Sequence, residues 1–342
     1  MKRLLVQDFL RQAKGKRIID VRSPGEFQKG HINGAVNIPI FTNKERVEVG
    51  TVYKQKSREE AILLGLDIVG PKLRSIADEG KRIALDNELF IYCWRGGMRS
   101  EKMAWLFDLN GIQSKVLEGG YKNYRAHGRA LINRVKEFII IQGPTGSGKT
   151  EILGALKNLG EQTIDLEGLA NHKGSAFGGL GQQRQPGTQQ FQNEISSIIE
   201  GFDLEKPIWI ESESITIGRV YLPEELWSKM NQAKIISITV PRTQRIDNIL
   251  AQYGNFSKDE LIEKVEQLSQ KLGGLAVKEI TNNIESGSIH NAVDRLLTYY
   301  DKSYAFSAKV HKLSNPMEVE FKNISAHENA EILLEKSKMI HA

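Results

Sequence analysis

The stretch FIIIQGPTGSGKT, residues 138–150, decides how the second half of this 342-residue chain folds. Its four leading apolar residues predict a short buried strand over 138–142, and the glycine-rich turn that follows matches the pattern G-x4-G-K-[ST]. Residues 148–158 then have the apolar spacing of a helix. A strand, a glycine-rich turn and a helix in this order place backbone N–H groups around a phosphate at the start of the helix.

Two side chains of the turn extend this prediction. Lys149 is expected to reach the terminal oxygens of the phosphate, and the hydroxyl of Thr150 is expected to bind Mg²⁺. The predicted phosphate-binding residues of the turn are Gly143, Thr145, Gly146, Ser147, Gly148, Lys149 and Thr150.

Two later strands supply further candidates for the same site. Glu211 ends a strand predicted over 207–211, at the sheet edge where a carboxylate supports Mg²⁺. Arg242 and Arg245 follow a strand predicted over 234–240 and lie one helical turn apart, a spacing that suits a phosphate clamp. The solvated start of a helix explains these two arginines equally well.

The first part of the chain alternates short apolar segments with helical patterns, which predicts a parallel α/β sheet. Strands are predicted at 18–21, 88–92 and 116–117, and helices at 1–17, 59–76 and 100–110. Residues 119–137 are interpreted as a connection. The predicted domains are a parallel-sheet domain at 1–130, a phosphate-loop α/β domain at 131–240, and a mostly helical part at 241–342 packed on the second domain.

Composition and charge exclude several classes of protein. Hydrophobic residues make up 40% and charged residues 26%, as in ordinary globular chains. The single cysteine, Cys93, rules out an internal disulfide and a cysteine-cluster metal site. The net charge of +5 permits a polyanionic partner without requiring one. Without a secretory leader or an apolar run of about 20 residues, no membrane association is expected, and the sequence predicts a cytoplasmic protein.

A second candidate site is the run YCWRGGMRS at residues 92–100. Cys93 ends a predicted strand just before a helix, where backbone N–H groups bind anions and stabilise a thiolate. Arg99 can hold a tetrahedral anion with two parallel hydrogen bonds. The predicted anion cradle between them consists of Trp94, Arg95, Gly96, Gly97 and Met98. Five intervening residues make a wide cradle that suits phosphate or selenophosphate, and the spacing does not choose between phosphoryl and chalcogen chemistry.

Two segments upstream of this loop carry a family resemblance. Residues 20–27, DVRSPGEF, and residues 30–39, GHINGAVNIP, resemble the signature segments of rhodanese domains when taken with the Cys93 loop. Such domains carry sulfur or selenium as a persulfide or perselenide on this cysteine. We interpret Asp20, Arg22 and His31 as residues that brace the loop rather than react.

Most of the chain resembles bacterial tRNA 2-selenouridine synthases. The resemblance rests on the rhodanese segments, the phosphate loop and the polar run DLEGLANHKGSAFG at residues 165–178, in this order. It implies an enzyme that geranylates wobble 2-thiouridine with geranyl diphosphate and then introduces selenium from selenophosphate, with Cys93 and Arg99 as the catalytic pair. It also implies tRNA as partner, a selenophosphate-supplying enzyme, and no tightly bound cofactor beyond Mg²⁺.

A basic segment between the two predicted domains is a candidate RNA surface. If helical, it places four cations on one face: Lys122, Arg125, Arg129 and Lys136. Tyr121, Tyr124 and Trp94 are candidate stacking surfaces for an unpaired base. An ordinary solvated basic helix is the competing interpretation.

Two other functions fit the motifs without the family resemblance. One is a P-loop kinase or NTPase with a regulatory rhodanese module, which predicts nucleotide turnover independent of Cys93. The other is a phosphatase that uses the Cys-x5-Arg loop, although the sequence supplies no evident general acid for such a reaction.

Overall fold

The computed structural model describes residues 1–310, 316–321 and 325–340, which form two compact units. The first contains residues 1–132 together with 187–200, and the second contains 133–186 and the described residues from 201 onward. The boundaries taken from sequence place 187–200 in the phosphate-loop domain. The contacts of this segment, and not its local pattern, assign it to the first unit.

A five-stranded parallel sheet forms the centre of the first unit, in the order β1-β5-β4-β2-β3. Its strands are β1 (Lys2–Leu4), β2 (Arg17–Asp20), β3 (Ala35–Asn37), β4 (Glu88–Tyr92) and β5 (Gln113–Leu117). The prediction of one helix over 1–17 is wrong at its start. Leu4 is buried and pairs in register with Leu117, so tertiary pairing overrides the helical pattern there.

Helices surround this sheet. They are α1 (Val6–Gln12), α2 (Pro24–Lys29), α3 (Asn43–Gln55), α4 (Arg58–Val69), α5 (Leu73–Ile83), α6 (Met98–Leu109) and α7 (Gly120–Arg134), with a 3₁₀ turn at Gly70–Lys72. The interpretation of 119–137 as a connection is wrong. Most of this range forms helix α7, which buries Tyr121, Tyr124 and Ile132.

The second unit is built on another five-stranded parallel sheet, in the order β12-β11-β6-β8-β7. Its strands are β6 (Phe138–Gln142), β7 (Gln162–Ile164), β8 (Ile208–Glu211), β11 (Lys234–Thr239) and β12 (Met317–Glu320). A separate antiparallel ladder joins β9 (Thr216–Ile217) and β10 (Val220–Tyr221). Both sheets confirm the predicted α/β class with parallel strands.

The remaining helices are α8 (Lys149–Asn158), α9 (Leu166–Ala170), α10 (Thr188–Glu200), α11 (Glu224–Met230), α12 (Arg242–Tyr253), α13 (Lys258–Gln267), α14 (Ser269–Leu272), α15 (Gly274–Glu285), α16 (Ile289–Val310) and α17 (Ala326–Ile340). Of these, α10 lies in the first unit and the rest in the second. Strand β12 extends the sheet beside β11, and α17 packs on α8. Among the described residues, no helix is both long and apolar enough to cross a bilayer.

Candidate functional site

The cysteine of the first unit lies where a central strand meets a helix. Cys93 follows β4 directly, and α6 begins five residues later at Met98. Its side chain is buried, and Sγ lies 3.2 Å from the hydroxyl of Ser100 and 4.0 Å from the carbonyl oxygen of Gly97. The thiol therefore sits beside the first turn of a helix, where the free N–H groups and the helix dipole favour an anion.

Two glycines allow the loop to curl tightly. Gly96 has a φ of +65°, and a Cβ there would lie 2.5 Å from the carbonyl oxygen of Leu117. Gly120 has a φ of +59°, and its Cβ would lie 2.3 Å from the carbonyl oxygen of Cys93. Only glycine fits either position. The start of α7 then fastens the loop, since Tyr121 N–H donates to the Cys93 carbonyl at 2.9 Å.

Arg99 is held at the rim of this loop by a carboxylate. Its Nη1 lies 3.1 Å from Oε2 of Glu26. Partial burial acts to raise the pKa of Glu26, but the charge and hydrogen bond of Arg99, the Ser23 backbone N–H and the charge of Arg46 together hold that pKa below its ordinary value. One bond to Glu26 leaves Arg99 with further N–H donors, so the guanidinium can still bind an anion beside Cys93.

A buried ion pair braces the loop from behind. Arg22 and Asp20 are almost fully buried and are joined by three side-chain hydrogen bonds of 2.6–3.0 Å. The guanidinium of Arg22 also donates to the Gly30 carbonyl at 2.7 Å and lies 4.0 Å from the ring centre of Tyr121. His31 stacks on Phe27 with ring centres 3.8 Å apart. These contacts fit the bracing interpretation of Asp20, Arg22 and His31.

Helix α10 belongs to this brace, which the sequence analysis missed. Asn193 is buried, and its Nδ2 donates to the His31 carbonyl at 2.8 Å and to the Tyr121 hydroxyl at 2.7 Å. Arg125 donates to Oδ1 of Asn193 at 3.1 Å. The Gln and Asn residues of α10 form no sequence pattern that identifies a partner far along the chain. The packing of α10 on the first unit could therefore not be predicted from the sequence.

The structure changes the candidate RNA surface. Tyr121 and Tyr124 are buried, so the prediction that they stack on bases is wrong, whereas Trp94 is 38% exposed. The side chain of Arg125 is bonded to α10. Lys136 lies beyond the last residue of α7 and pairs with Glu205, so the four predicted cations do not share one helical face.

In the second unit, the glycine-rich turn adopts the expected phosphate-loop shape. Gly146 and Gly148 both have a φ of +80°. A Cβ on Gly146 would lie 2.7 Å from the Arg245 carbonyl oxygen, and one on Gly143 would lie 2.6 Å from Ile238 Cγ1. Lys149 extends back across the turn and donates to the Gly143 carbonyl at 3.0 Å.

A cavity of about 530 Å³ opens over this turn. Its wall brings together every predicted phosphate-loop residue, namely Gly143, Thr145, Gly146, Ser147, Gly148, Lys149 and Thr150. Other parts of the wall were not predicted from sequence. Tyr253, Tyr299, Tyr300 and Tyr304 line it from α12 and α16, and Trp227 lines it from α11. These aromatic residues lie in helices whose apolar spacing indicates burial but not which cavity they face.

Arg242 and Arg245 have partners other than the cavity. Arg242 Nε lies 2.6 Å from Asp294, and Arg245 Nη2 lies 2.5 Å from Asp301. Neither arginine lines the cavity, so their prediction as a phosphate clamp is replaced by a structural role. Arg245 instead holds the backbone of the phosphate loop, because the Nε of Arg245 donates to the Thr145 carbonyl at 2.9 Å.

Two glutamates lie near Thr150 and Lys149, and a third is buried behind them. Glu167 Oε2 lies 3.3 Å from the Thr150 hydroxyl, and Glu213 lines the cavity. Glu211 lies behind them, fully buried, and accepts the Glu167 backbone N–H at 2.8 Å. Burial, followed by the charge of Glu167, raises the pKa of Glu211 well above its ordinary value and that of Glu213 to about 8.

These positions test the expected Mg²⁺ site. Among the described residues, no cluster of three His, Cys, Asp or Glu side chains is arranged to hold a metal unaided. Mg²⁺ needs few protein ligands when phosphate oxygens and water complete its shell. Thr150 and the neighbouring Glu167 supply suitable hard oxygens, so the residues fit a phosphate-bound Mg²⁺. Glu211, the predicted carboxylate, supports Glu167 from behind.

Comparison with known proteins agrees with both predicted types of domain. A family model described as "tRNA 2-selenouridine synthase AAA domain" matches residues 136–332, and a rhodanese-like domain model matches residues 5–127. The chain belongs to the tRNA 2-selenouridine synthase family. Members of this family are enzymes, and the resemblance stated from the motifs is thereby confirmed.

Relatives named tRNA 2-selenouridine synthase match much of the chain. The one from Nitrosomonas europaea is 38% identical over 245 residues, covering 69% of this chain and 63% of the relative. The one from Nitrosomonas eutropha is 32% identical and covers 79% of each chain. The one from Marinobacter nauticus is 33% identical, covering 84% of this chain and 87% of the relative.

Proposed function

We propose that this enzyme converts wobble 2-thiouridine of tRNA to 2-selenouridine in two steps. Geranyl diphosphate first alkylates the sulfur, and selenium from selenophosphate then replaces the S-geranyl group. The observation that carries this proposal is the presence of two separately built loops, each at the start of a helix, one beside Cys93 and one with the phosphate-loop glycines.

The phosphate-loop cavity suits the first step. Backbone N–H groups of the turn and Lys149 bind the diphosphate, and Mg²⁺ held by Thr150 and Glu167 would neutralise part of its charge. As the C–O bond of geranyl diphosphate breaks, negative charge grows on the leaving diphosphate, which these groups stabilise. The aromatic wall formed by Tyr253, Tyr299 and Tyr300 offers an apolar surface for the hydrocarbon chain.

The cysteine loop suits the second step. Arg99 and the start of α6 bind selenophosphate, and Cys93 carries the selenium as a perselenide. Selenium in a perselenide is two electrons more oxidised than in selenophosphate or in the product. A thiol–disulfide couple balances the step: when the S–Se bond forms, the P–Se bond breaks, water takes the phosphoryl group as inorganic phosphate and a disulfide accepts two electrons, which a thiol returns when selenium leaves. The exocyclic sulfur leaves C2 of the base with its geranyl group as geranyl thiol when the C2–Se bond forms.

This chemistry defines the surroundings of the enzyme. It requires tRNA as the macromolecular partner and a second enzyme that supplies selenophosphate. The same chemistry supports a cytoplasmic location, where tRNA and a thiol–disulfide couple occur together.

Replacing Cys93 separates the two steps. We expect Cys93→Ser to geranylate a 2-thiouridine RNA at the wild-type rate but to form no 2-selenouridine when selenophosphate is added. Mass spectrometry of the digested nucleosides measures both products, with wild-type protein lacking selenophosphate as the reference for accumulated S-geranyl nucleoside. Normal selenation by Cys93→Ser would exclude the carrier role.

A further inference from the structure

A second large cavity lies in the first unit, apart from the phosphate loop. It is a groove of about 1020 Å³ between helices α3, α4, α5 and α6. This volume is at the upper end of the range for small-molecule sites. Nothing in the chemistry assigned above to the phosphate loop uses it.

The groove exposes large apolar side chains. Val47 is 68% exposed, Leu66 63%, Trp105 57% and Tyr53 60%, and all four line it. Single exposed apolar residues are normal on a protein surface, but a contiguous set within one concave groove marks a binding site. The lining chemistry therefore favours a hydrocarbon ligand.

The rim of the groove is cationic. Six Lys or Arg residues and no acidic residue contribute to the lining. Four of the six, Lys54, Arg58, Arg95 and Lys102, have no ion-pair partner within the part of the chain that the structure describes. An apolar floor with an unneutralised basic rim matches a ligand that joins a hydrocarbon chain to a polyanion.

The groove adjoins the cysteine loop. Arg95 and Met98 belong to the loop and line the groove, as does Arg99, the arginine paired with Glu26. A ligand in the groove therefore has part of its structure beside the anion site of Cys93.

We propose that this groove binds the hydrocarbon chain of S-geranyl-2-thiouridine in tRNA during the selenium step, with RNA phosphates on the basic rim. The inference rests on the proposed function. The P-loop cavity holds geranyl diphosphate before alkylation, and the groove holds the same chain after its transfer to RNA. Binding of the geranyl chain in the groove then positions the geranylated base, and not the 2-thiouridine base, beside the cysteine loop.

Two pairs of substitutions test the groove without adding charge. Val47→Gln/Leu66→Gln makes part of its apolar lining polar, whereas Leu63→Gln/Leu109→Gln changes side chains that are 57% and 69% exposed but do not line it. The probe is an anticodon stem-loop RNA carrying S-geranyl-2-thiouridine, compared with the same RNA carrying 2-thiouridine. All four positions are exposed, so both variants should fold.

We expect the groove variant to bind the geranylated RNA about tenfold to a hundredfold more weakly than wild type, because apolar contacts to the chain are lost. Its affinity for the 2-thiouridine RNA should be unchanged, as should both affinities of the control variant. Equal affinities of the two variants for geranylated RNA would overturn the inference. So would an equal loss for both RNAs with a change in sedimentation, since the groove would then join two copies of the chain.

The same samples separate this inference from the proposed function. If wild-type protein and selenophosphate do not convert the geranylated RNA, the proposed function fails, while the binding comparison still reports on the groove. If conversion occurs and the groove variant matches wild type in KM, the function stands and the groove assignment fails.

Discussion

The cysteine loop and the phosphate loop occupy equivalent places, each between a central strand and a helix, yet the protein holds them differently. Around the cysteine loop, polar groups are paired within the protein, as in the Asp20–Arg22 pair and the Tyr121 N–H bond to the Cys93 carbonyl. Around the phosphate loop, three buried atoms have no hydrogen-bond partner among the described residues: Ser147 Oγ, His172 Nδ1 and Glu211 Oε2.

The difference indicates two ways of building an anion site. Buried polar atoms without partners are rare and destabilising, so a native site that keeps them has a reason to do so. We infer that the cysteine loop is preformed by the protein, whereas the phosphate loop is completed by its ligand and the water or metal that accompanies it. Substitutions in the two regions should therefore differ in kind, with stability affected in one and ligand binding in the other.

The largest expected effect is on stability, from Arg22→Met. The substitution leaves the Asp20 carboxylate buried without its partner, which typically costs about 3–5 kcal/mol. Arg242→Met is the matched control in the second unit, because Arg242 pairs with Asp294 on the surface and such pairs contribute about 1 kcal/mol or less. Hydrogen exchange of the amides in β2 and β11, measured as a function of urea concentration, gives the free energy of unfolding of each unit separately. A small loss for Arg22→Met would mean that the loop does not depend on this brace.

The next effect is on ligand binding, from Lys149→Ala. Removing a charge-assisted hydrogen bond typically costs about 1.5–3 kcal/mol, so affinity for geranyl diphosphate should fall roughly tenfold to a hundredfold, with little change in stability. Lys271 lines the same cavity outside the turn, and Lys271→Ala should have a smaller effect. Calorimetric titration of both variants gives the comparison. Unchanged binding and geranyl transfer in Lys149→Ala would assign the phosphate loop another role.

Local patterns in the sequence predicted the parts of the fold that local residues determine. The apolar runs gave β4 and β6 with their observed bounds, and the glycine spacing placed the phosphate loop over its cavity. Long-range contacts decided the rest. Strand β1 forms because Leu4 pairs with Leu117, and α10 joins the first unit through Asn193.

The candidate sites follow the same division. Motif residues such as Cys93 and Lys149 were found from spacing alone. The charged and aromatic residues outside motifs were not, because their roles depend on partners far along the chain. Arg242 binds Asp294, and Tyr121 is buried against the guanidinium of Arg22.

The RNA surface allows a smaller test of the same contrast. The Lys122 side chain is exposed on α7, whereas Arg125 is bonded to α10 as part of the preformed unit. If Lys122 contacts a tRNA phosphate, Lys122→Ala should reduce the dependence of tRNA affinity on salt. The slope of the logarithm of the tRNA association constant against the logarithm of salt concentration should become less steep by about 0.9 for a duplex contact or about 0.7 for a single strand. Lys122→Arg should keep the slope. An unchanged slope in Lys122→Ala would favour an ordinary solvated helix over an RNA surface.

The smallest expected effect is a pH dependence of stability from His172. Burial, and then the charge of Lys264, lowers the pKa of His172 below its ordinary value, and its Nδ1 has no partner among the described residues. In the unfolded chain the ring takes up a proton as the pH falls through about 6.5, while the folded ring stays neutral until its own lower pKa is reached. The contribution of His172 to the free energy of unfolding of the second unit should therefore be complete above a pH of about 6.5. It should decrease as the pH falls from there to the lower pKa of the folded ring.

His172→Gln should flatten this part of the profile, measured by urea unfolding between pH 7.5 and pH 5 at about one-half-unit steps, a range chosen to bracket the ordinary pKa. His290→Gln, which changes an exposed histidine of α16, is the control and should leave the profile as it is in wild type. If His172→Gln and wild type show the same pH dependence of the free energy of unfolding, the unpaired ring nitrogen of His172 does not affect stability. The contrast between the two loops would then rest on Ser147, which lines the phosphate-loop cavity, and on Glu211, which is buried behind Glu167 at the end of β8.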